Sequence, residues 1–304
     1  MVIIRISGGI GNQLFQYAFG RALSLRTGSK LKLDTHVYDL NIEPDRSFKL
    51  PHFSISGIPD MIATPTDFKE LGIPYPAKKD IVSKILRTLK RKLDSRKPLS
   101  QRVTILEPGF DFSPEIANLK DGHYFCGVWQ SEKYFVDHTD AIRKDFALSA
   151  PFSSPAMSMS ENIKSAGTGS ISIHIRRGDQ VQDPWLLKKH GDLGKKYYLA
   201  AVEYIAGKVT NPNLFVFSDD ITWCKEHMKF DLPTTYVSSP NILDYEELIL
   251  MSTCAHNIIA KSSFSWWAAW LNRNPEKIVV TPKQRFGDPS VKADDLTPDT
   301  WIKI

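Results

Sequence analysis

Two arginines stand side by side at the end of an apolar run, Ser172-Ile173-His174-Ile175-Arg176-Arg177-Gly178-Asp179, and are the residues of this chain best suited to hold a doubly charged anion. Guanidinium groups bind oxyanions through paired, charge-assisted hydrogen bonds, and a diphosphate offers enough oxygens to satisfy two of them. Alternate side chains of an extended segment share a face. His174 and Arg176 therefore project together while Ile173 and Ile175 enter the core. The competing reading is internal: Asp179 pairs with Arg177 and nothing binds.

Three further segments carry groups of the same kind. Phe217-Ser218-Asp219-Asp220-Ile221-Thr222-Trp223-Cys224 closes a second apolar run on adjacent carboxylates. One of the two can cap the following helix, or a carboxylate there can accept hydrogen bonds from a ribose or base. Asp-x-Asp, the usual spacing of a nucleotide-sugar metal clamp, occurs nowhere, so no metal site is expected. Ser262-Ser263-Phe264-Ser265-Trp266-Trp267-Ala268-Ala269-Trp270-Leu271 runs from a strand end into a helix, where hydroxyls and N–H groups gather at the positive helix end. Its tryptophans Trp266, Trp267 and Trp270 read as core. Near the start, Gly8-Gly9-Ile10-Gly11-Asn12 is a tight strand-to-helix turn that either brings backbone N–H groups near a ligand or simply turns. Leu14 occupies the third glycine position of a dinucleotide fingerprint and no P-loop is present, which weakens nicotinamide and P-loop chemistries.

Each of these segments needs a strand that ends where it begins. Val2 to Ile6, a helix from about Gln13 to Arg26 and a strand at Leu31 to Leu33 make a strand-loop-helix-strand unit. Residues 40–100 are irregular and Pro-rich. Arg102 to Leu106 and His123 to Val128 read as strands, and Ser131 as the N-cap of a helix ending near Phe146. Pro151 to Gly169, rich in Ser, Ala, Met, Pro and Gly, reads as the crossing between domains. Strands are then expected at Ser170 to Ile175, Leu214 to Phe217, Thr235 to Val237, Asn257 to Ala260 and Lys277 to Val280. Helices are expected near 195–207, 220–229, 242–253 and 264–272. Such alternation implies a parallel, doubly wound sheet, which binds ligands outside the carboxyl ends of its strands.

With 304 residues the chain is long enough for two domains, and 42% hydrophobic against 24% charged residues is a globular composition. The formal charge of +5 invites a polyanionic partner, but it has one source. Residues 78–97 hold nine Lys or Arg against two Asp, a local +7, and the remaining 284 residues net −2. With no interleaved aromatic and basic platform, nucleic acid is not an expected partner. Ile81, Ile85, Leu89 and Leu93, with Val82 and Leu86 beside them, make 78–97 an amphipathic helix, lying either on an anionic membrane surface or on its own domain. No apolar stretch is long enough to span a membrane and no secretion signal is evident; Cys126, Cys224 and Cys254 make neither a disulfide framework nor a zinc site. A cytoplasmic protein is expected, peripheral on the inner membrane face only in the first of those two readings of 78–97.

GGIGNQLFQYA at 8–18, SIHIRRGD at 172–179, FSDDITWC at 217–224 and ELILMSTCAHNIIAKSSFSWWAAWLN at 247–272 resemble, in order and separation, the α-1,2-fucosyltransferases of glycosyltransferase family 11. The resemblance implies a GT-B fold: α/β, two facing Rossmann-like domains with doubly wound parallel sheets. Residues 1–160 would form the N-terminal, acceptor-side domain, 161–283 the GDP-fucose-binding domain, and 284–304 a tail returning to the first. It implies GDP-β-L-fucose as donor, no required cofactor, and inverting transfer to the 2-hydroxyl of a terminal β-galactoside, free or lipid-linked. The family does not fix the oligomeric state.

The same resemblance assigns residues. Arg176 is foremost on the phosphates, Arg177 assists, and His174 lies near the nucleoside. Ser218 and Asp219 fall near guanine or ribose, and Ser262, Ser263 and Ser265 approach the phosphates. Gly9, Gly11, Asn12 and Gln13 face the donor from the other domain. Asp179 ranks first and Asp183 second as general base, with His174 a third choice. Lys261 and Ala268 depart from the family's usual Asn and Gly. The alternatives are a transferase with another nucleotide sugar or another fucosyl linkage, and a GDP-binding protein that has lost catalysis.

Overall fold

The computed structural model describes residues 1–43, 45–75, 88, 90–177, 193–288 and 290–304. The chain divides into two compact units, Met1–Ser149 with Asp294–Leu296, and Ala150–Ala293 with Thr297–Ile304.

The first unit is built on a four-stranded sheet in the order β2-β1-β4-β3, with β1 Val2–Arg5, β2 Leu31–Asp34, β3 Thr104–Leu106 and β4 His123–Cys126. Every pairing is parallel. Gly8, at φ 78°, turns the chain in a conformation costly for any residue with a Cβ, and helix α1 (Ile10–Thr27) starts two residues later. α1 covers the Ile4 and Phe125 side of the sheet: Phe19 meets Phe125 edge-on and stacks on Trp129 with ring centroids 4.4 Å apart. A short helix, α2 (Pro65–Glu70), lies in the segment before β3, its N-terminus closed by a Thr64–Asp67 capping box.

The second unit holds a six-stranded sheet in the order β10-β9-β8-β5-β6-β7. The strands are β5 Ser170–Ile175, β6 Asn213–Ser218, β7 Thr234–Tyr236, β8 His256–Ile258, β9 Val279–Thr281 and β10 Ile302–Lys303, again all parallel. The helices are α3 Ser154–Ser165, α4 Gly194–Ala206, α5 Ile221–His227, α6 Asp244–Thr253 and α7 Ser263–Leu271. Ile171, Ile173, Leu214 and Val216 pack with Tyr198, Ala201 and Ile205 of α4 on one face. Phe215 and Phe217 pack with Leu250, Met251, Ala268 and Ala156 on the other. Helices thus cover both faces, and every residue of β5 is buried, with Ile171, Ile173 and Ile175 in the apolar core and the buried polar Ser170, Ser172 and His174 alternating with them. Trp266, Trp267 and Trp270 are core, as their spacing implies.

Two sequence expectations need correction. The segment read as a domain crossing contains α3, whose Ala156, Ser160 and Ile163 are its buried stripe and whose entry is tied down by Glu246 accepting from Ser153 N–H and Oγ. Its serines and methionines disguise a helix that tertiary packing stabilises. The helix expected from Ser131 is instead two single turns, Glu132–Tyr134 and Val136–His138, before a helix at Thr139–Asp145; Phe135, at φ −140°, interrupts it. Of the stripe predicted in 78–97, Ile81, Val82, Ile85, Leu86 and Leu89 lie outside the described residues, while Leu93 is 62% exposed and Asp94 is buried. Among the described residues no helix is long and apolar enough to cross a membrane.

Candidate functional site

The sequence-predicted residues of the second unit gather at the carboxyl ends of β5, β6 and β8, where a parallel sheet presents ligand sites. β5 and β6 pair with Ile175 level with Ser218, so the next residues along each strand, Arg176 and Asp219, come side by side. Arg176 Nη1 lies 2.9 Å from Asp219 Oδ2, and Asp219 Oδ1 accepts the backbone N–H of Arg177 at 2.8 Å. The Arg177 guanidinium lies 3.5 Å above the Trp223 ring, its Nε 3.7 Å from Asp220 Oδ2. Asp220 also caps α5 by accepting from Trp223 N–H at 3.1 Å. The arginine pair is therefore balanced by the Asp219–Asp220 pair, and both arginines remain partly open to solvent. Asp179, the partner considered from sequence, and Asp183 lie outside the described residues.

Ser218 is engaged by the scaffold. Its Oγ donates to the Ile175 carbonyl at 2.7 Å and accepts from Asp220 N–H at 3.0 Å, fixing the turn that carries the carboxylates. His174 is buried with its ring 5.3 Å from that of Phe264, and its Nδ1 has no hydrogen-bond partner among the described residues. Burial, and then the positive charge of Arg176, push its pKa down to about 3. The imidazole is neutral at working pH and too weak a base to take a proton from a hydroxyl, which removes it as a general base. As a neutral donor or acceptor near a nucleoside it remains suitable.

At the end of β8 the chain turns through Lys261 into α7. Ser262 is the N-cap, its Oγ accepting from Phe264 N–H at 3.2 Å. Ser263 opens the helix. Ser265 is fully buried, accepting from Ala260 N–H and donating to the Ser262 carbonyl, so it closes the turn rather than facing a ligand. The positive end of a nine-residue helix is left at the sheet edge.

In the first unit, Gly9 is the N-cap of α1 with no side chain to close it, and Gly11 is buried in the first turn. Asn12 Oδ1 accepts from Gln130 Nε2 at 2.8 Å. Gln13 is fully buried: it donates to the carbonyls of Gly8 and Ser47 and accepts from Lys49 N–H. It holds the glycine turn in place and has no face left for a donor.

Two residues escape sequence reading. Arg285, past the last long apolar strand, directs Nη1 toward the Ala260 carbonyl at 3.5 Å, just before the α7 cap, and burial lowers its pKa to about 10. Nothing in its local pattern marks it; only the fold brings it to this edge. Glu247, in α6, is pushed up to about 7 by burial first, against a lowering hydrogen bond from Ser238, and then by the charges of Asp244 and Asp219. Three guanidiniums and a helix N-terminus give this edge the chemistry to hold a diphosphate and to stabilise charge growing on it.

The model of the family Glycosyl transferase family 11 matches residues 1–304. The chain is 33% identical to an α-1,2-colitosyltransferase of Escherichia coli, over 100% of this chain and 99% of that protein. It is 30% identical to the O-antigen biosynthesis glycosyltransferase WbnK of Escherichia coli, over 98% and 99% respectively. Human galactoside α-(1,2)-fucosyltransferase 1 is 26% identical over 61% of this chain and 52% of that protein.

Proposed function

The chain belongs to glycosyltransferase family 11, and on that premise we propose that it transfers L-fucose from GDP-β-L-fucose to the 2-hydroxyl of a terminal β-galactoside, with inversion and without a required metal. The observation that carries this reading is the arrangement of Arg176, Arg177 and the α7 N-terminus along one sheet edge, a diphosphate site built from guanidiniums and a helix end. Support for the 2-linkage comes from two relatives whose names both specify α-1,2 transfer.

Inversion takes a single displacement. The acceptor oxygen bonds to the anomeric carbon as the bond to the β-phosphate oxygen breaks, GDP leaves, and a base accepts the hydroxyl proton. Charge grows on the β-phosphate in the transition state, where Arg176, Arg285 and the helix end stabilise it more than in the ground state. Asp219 positions Arg176. Asp179 first, and Asp183 second, take the proton; comparing the pH–rate profiles of Asp179→Asn and Asp183→Asn separates them, and both assignments fall if neither variant loses activity.

The likeness to a colitosyltransferase over the whole chain favours a second reading, in which the donor sugar is colitose, a fucose lacking its 3-hydroxyl. Incubating the chain with lactose and each GDP-sugar in turn, and reading the product linkage by NMR, decides. Transfer from GDP-fucose forming an α-1,2 bond supports the first reading. Transfer from GDP-colitose alone supports the second, and GDP binding with no transfer to any galactoside defeats both.

A further inference from the structure

The sheet of the first unit is covered unequally. α1 takes the side of Ile4 and Phe125. On the opposite side Ile3, Ala63 and Phe68 form a small cluster with Leu71, Tyr75 and Tyr124. Toward the carboxyl ends of the strands a cavity of about 880 Å³ remains, its walls including Arg5, Thr104, Leu106, Tyr124 and Cys126. These residues alternate along β1, β3 and β4 and so share one face. The volume suits a ligand of several rings, and the position is where parallel sheets bind ligands.

Its charge is one-sided. Among the described lining residues Arg5, Lys90, Arg91 and Lys97 are cationic and Asp94 alone is acidic. Asp94 is committed to Lys97 and to the backbone N–H of Thr104. Asp34, the acid at the end of β2, is committed to His36 and Tyr124. Among the described residues Arg5 Nη1 reaches the Cys126 sulfur, at 3.4 Å, a weak acceptor, and its Nε is buried with no partner. A guanidinium whose Nη1 has only a thiol as acceptor gains a stronger, charge-assisted hydrogen bond when an oxyanion takes that place. Lys90, Arg91 and Lys97 belong to the 78–97 segment that carries the whole basic excess of the chain, so three of its nine cations border this cavity.

We propose that the cavity binds the acceptor, and that the acceptor carries an oxyanion, a diphosphate or a sugar carboxylate, which Arg5 grips from the cavity wall. The proposal rests on the glycosyl-transfer reading above and adds the chemical class of its acceptor. Three acceptors test it on the full chain: lactose, lactosyl diphosphate, and the galactosyl disaccharide ending in glucuronic acid. Wild-type kcat/KM should be at least tenfold higher for one of the anionic acceptors than for lactose, and whichever gains names the oxyanion. Arg5→Gln should cut that advantage at least tenfold, and the exposed pair Lys90→Gln/Arg91→Gln, which keeps the folded core intact, should cut it in part and flatten its dependence on salt. Equal use of all three acceptors by the wild type, or an advantage that survives in both variants, overturns the proposal while leaving the transferase reading standing. Calorimetry with GDP saturating the donor site separates the opposite case: binding of an anionic disaccharide that both variants weaken, with no transfer to any acceptor, defeats the transferase reading and keeps the cavity's assignment.

Discussion

Arg176 and Asp219 meet at 2.9 Å although 43 positions separate them, because β5 and β6 pair with Ile175 level with Ser218. The pairing is a product of strand register: a slip of one residue would turn one side chain of the pair to the other face of the sheet. The ion pair thus fixes the guanidinium before any ligand arrives, and such preorganised donors at a leaving group carry much of the catalysis in displacements of this kind.

Arg176→Ala should therefore lower kcat by at least about a hundredfold, the usual effect of removing one preorganised donor of about 3 to 4 kcal/mol. GDP binding should weaken as well. Arg176→Lys keeps the charge and loses the planar fork, so it should fall between the two. Wild-type turnover by the alanine variant sinks the assignment.

Asp219→Asn tests whether the carboxylate acts through Arg176. If it does, the double variant with Arg176→Ala should cost clearly less than the two single effects multiplied together, because the partners share one interaction. Strictly multiplicative losses in kcat would show that Asp219 works independently.

Arg285→Gln should weaken GDP binding by at least about tenfold, since a charge-assisted hydrogen bond is worth roughly 1.5 to 3 kcal/mol. Its unliganded thermal stability should not fall in step, because a cation lowered to about 10 by burial gives up little when removed. A GDP affinity equal to wild type would remove Arg285 from the site.

A physical divide separates the features legible in the sequence from those that only the fold creates. The run ending at Phe217 is legible because a strand buried on both faces is apolar throughout, and the one ending at Ile175 because its isoleucines alternate at strand spacing; the residues just past the end of such strands stand at the ligand edge. Which carboxylate meets which arginine is not legible, since that depends on register between strands far apart in the chain; among the described residues Asp219 meets Arg176 and Asp220 meets Arg177. Ser218, Ser265 and Gln13 have residue types that suit ligand binding, yet the scaffold uses their hydrogen bonds, and only coordinates distinguish those fates. Arg285 is hidden for the opposite reason: no periodic pattern surrounds it, and the fold alone carries it to the α7 cap.

Glu247 makes stability depend on pH with a definite sign. Its carboxyl is raised from the ordinary 4.5 to about 7, so folding favours the protonated form. That contribution is fully present below pH 4.5 and is lost as pH rises through 7. Glu247→Gln, neutral throughout, should match the wild type near pH 4.5 and unfold at higher denaturant concentration than it near pH 8. Parallel curves for the two proteins across this range would refute the shift.

Ser262 links stability to the site through one cap. Its Oγ satisfies Phe264 N–H, an α7 donor that no intrahelical carbonyl can reach. Ser262→Ala should cost about 1 kcal/mol and lower Tm by roughly 2 to 4 °C, whereas Ser262→Gly should cost only a few tenths of that energy. If Ser262 also touches the diphosphate, both variants lose the hydroxyl and both should weaken GDP binding to a similar extent, despite their different stabilities. Affinity that instead tracks Tm across the two variants would confine Ser262 to capping and leave the anion to Ser263, Arg176 and Arg285.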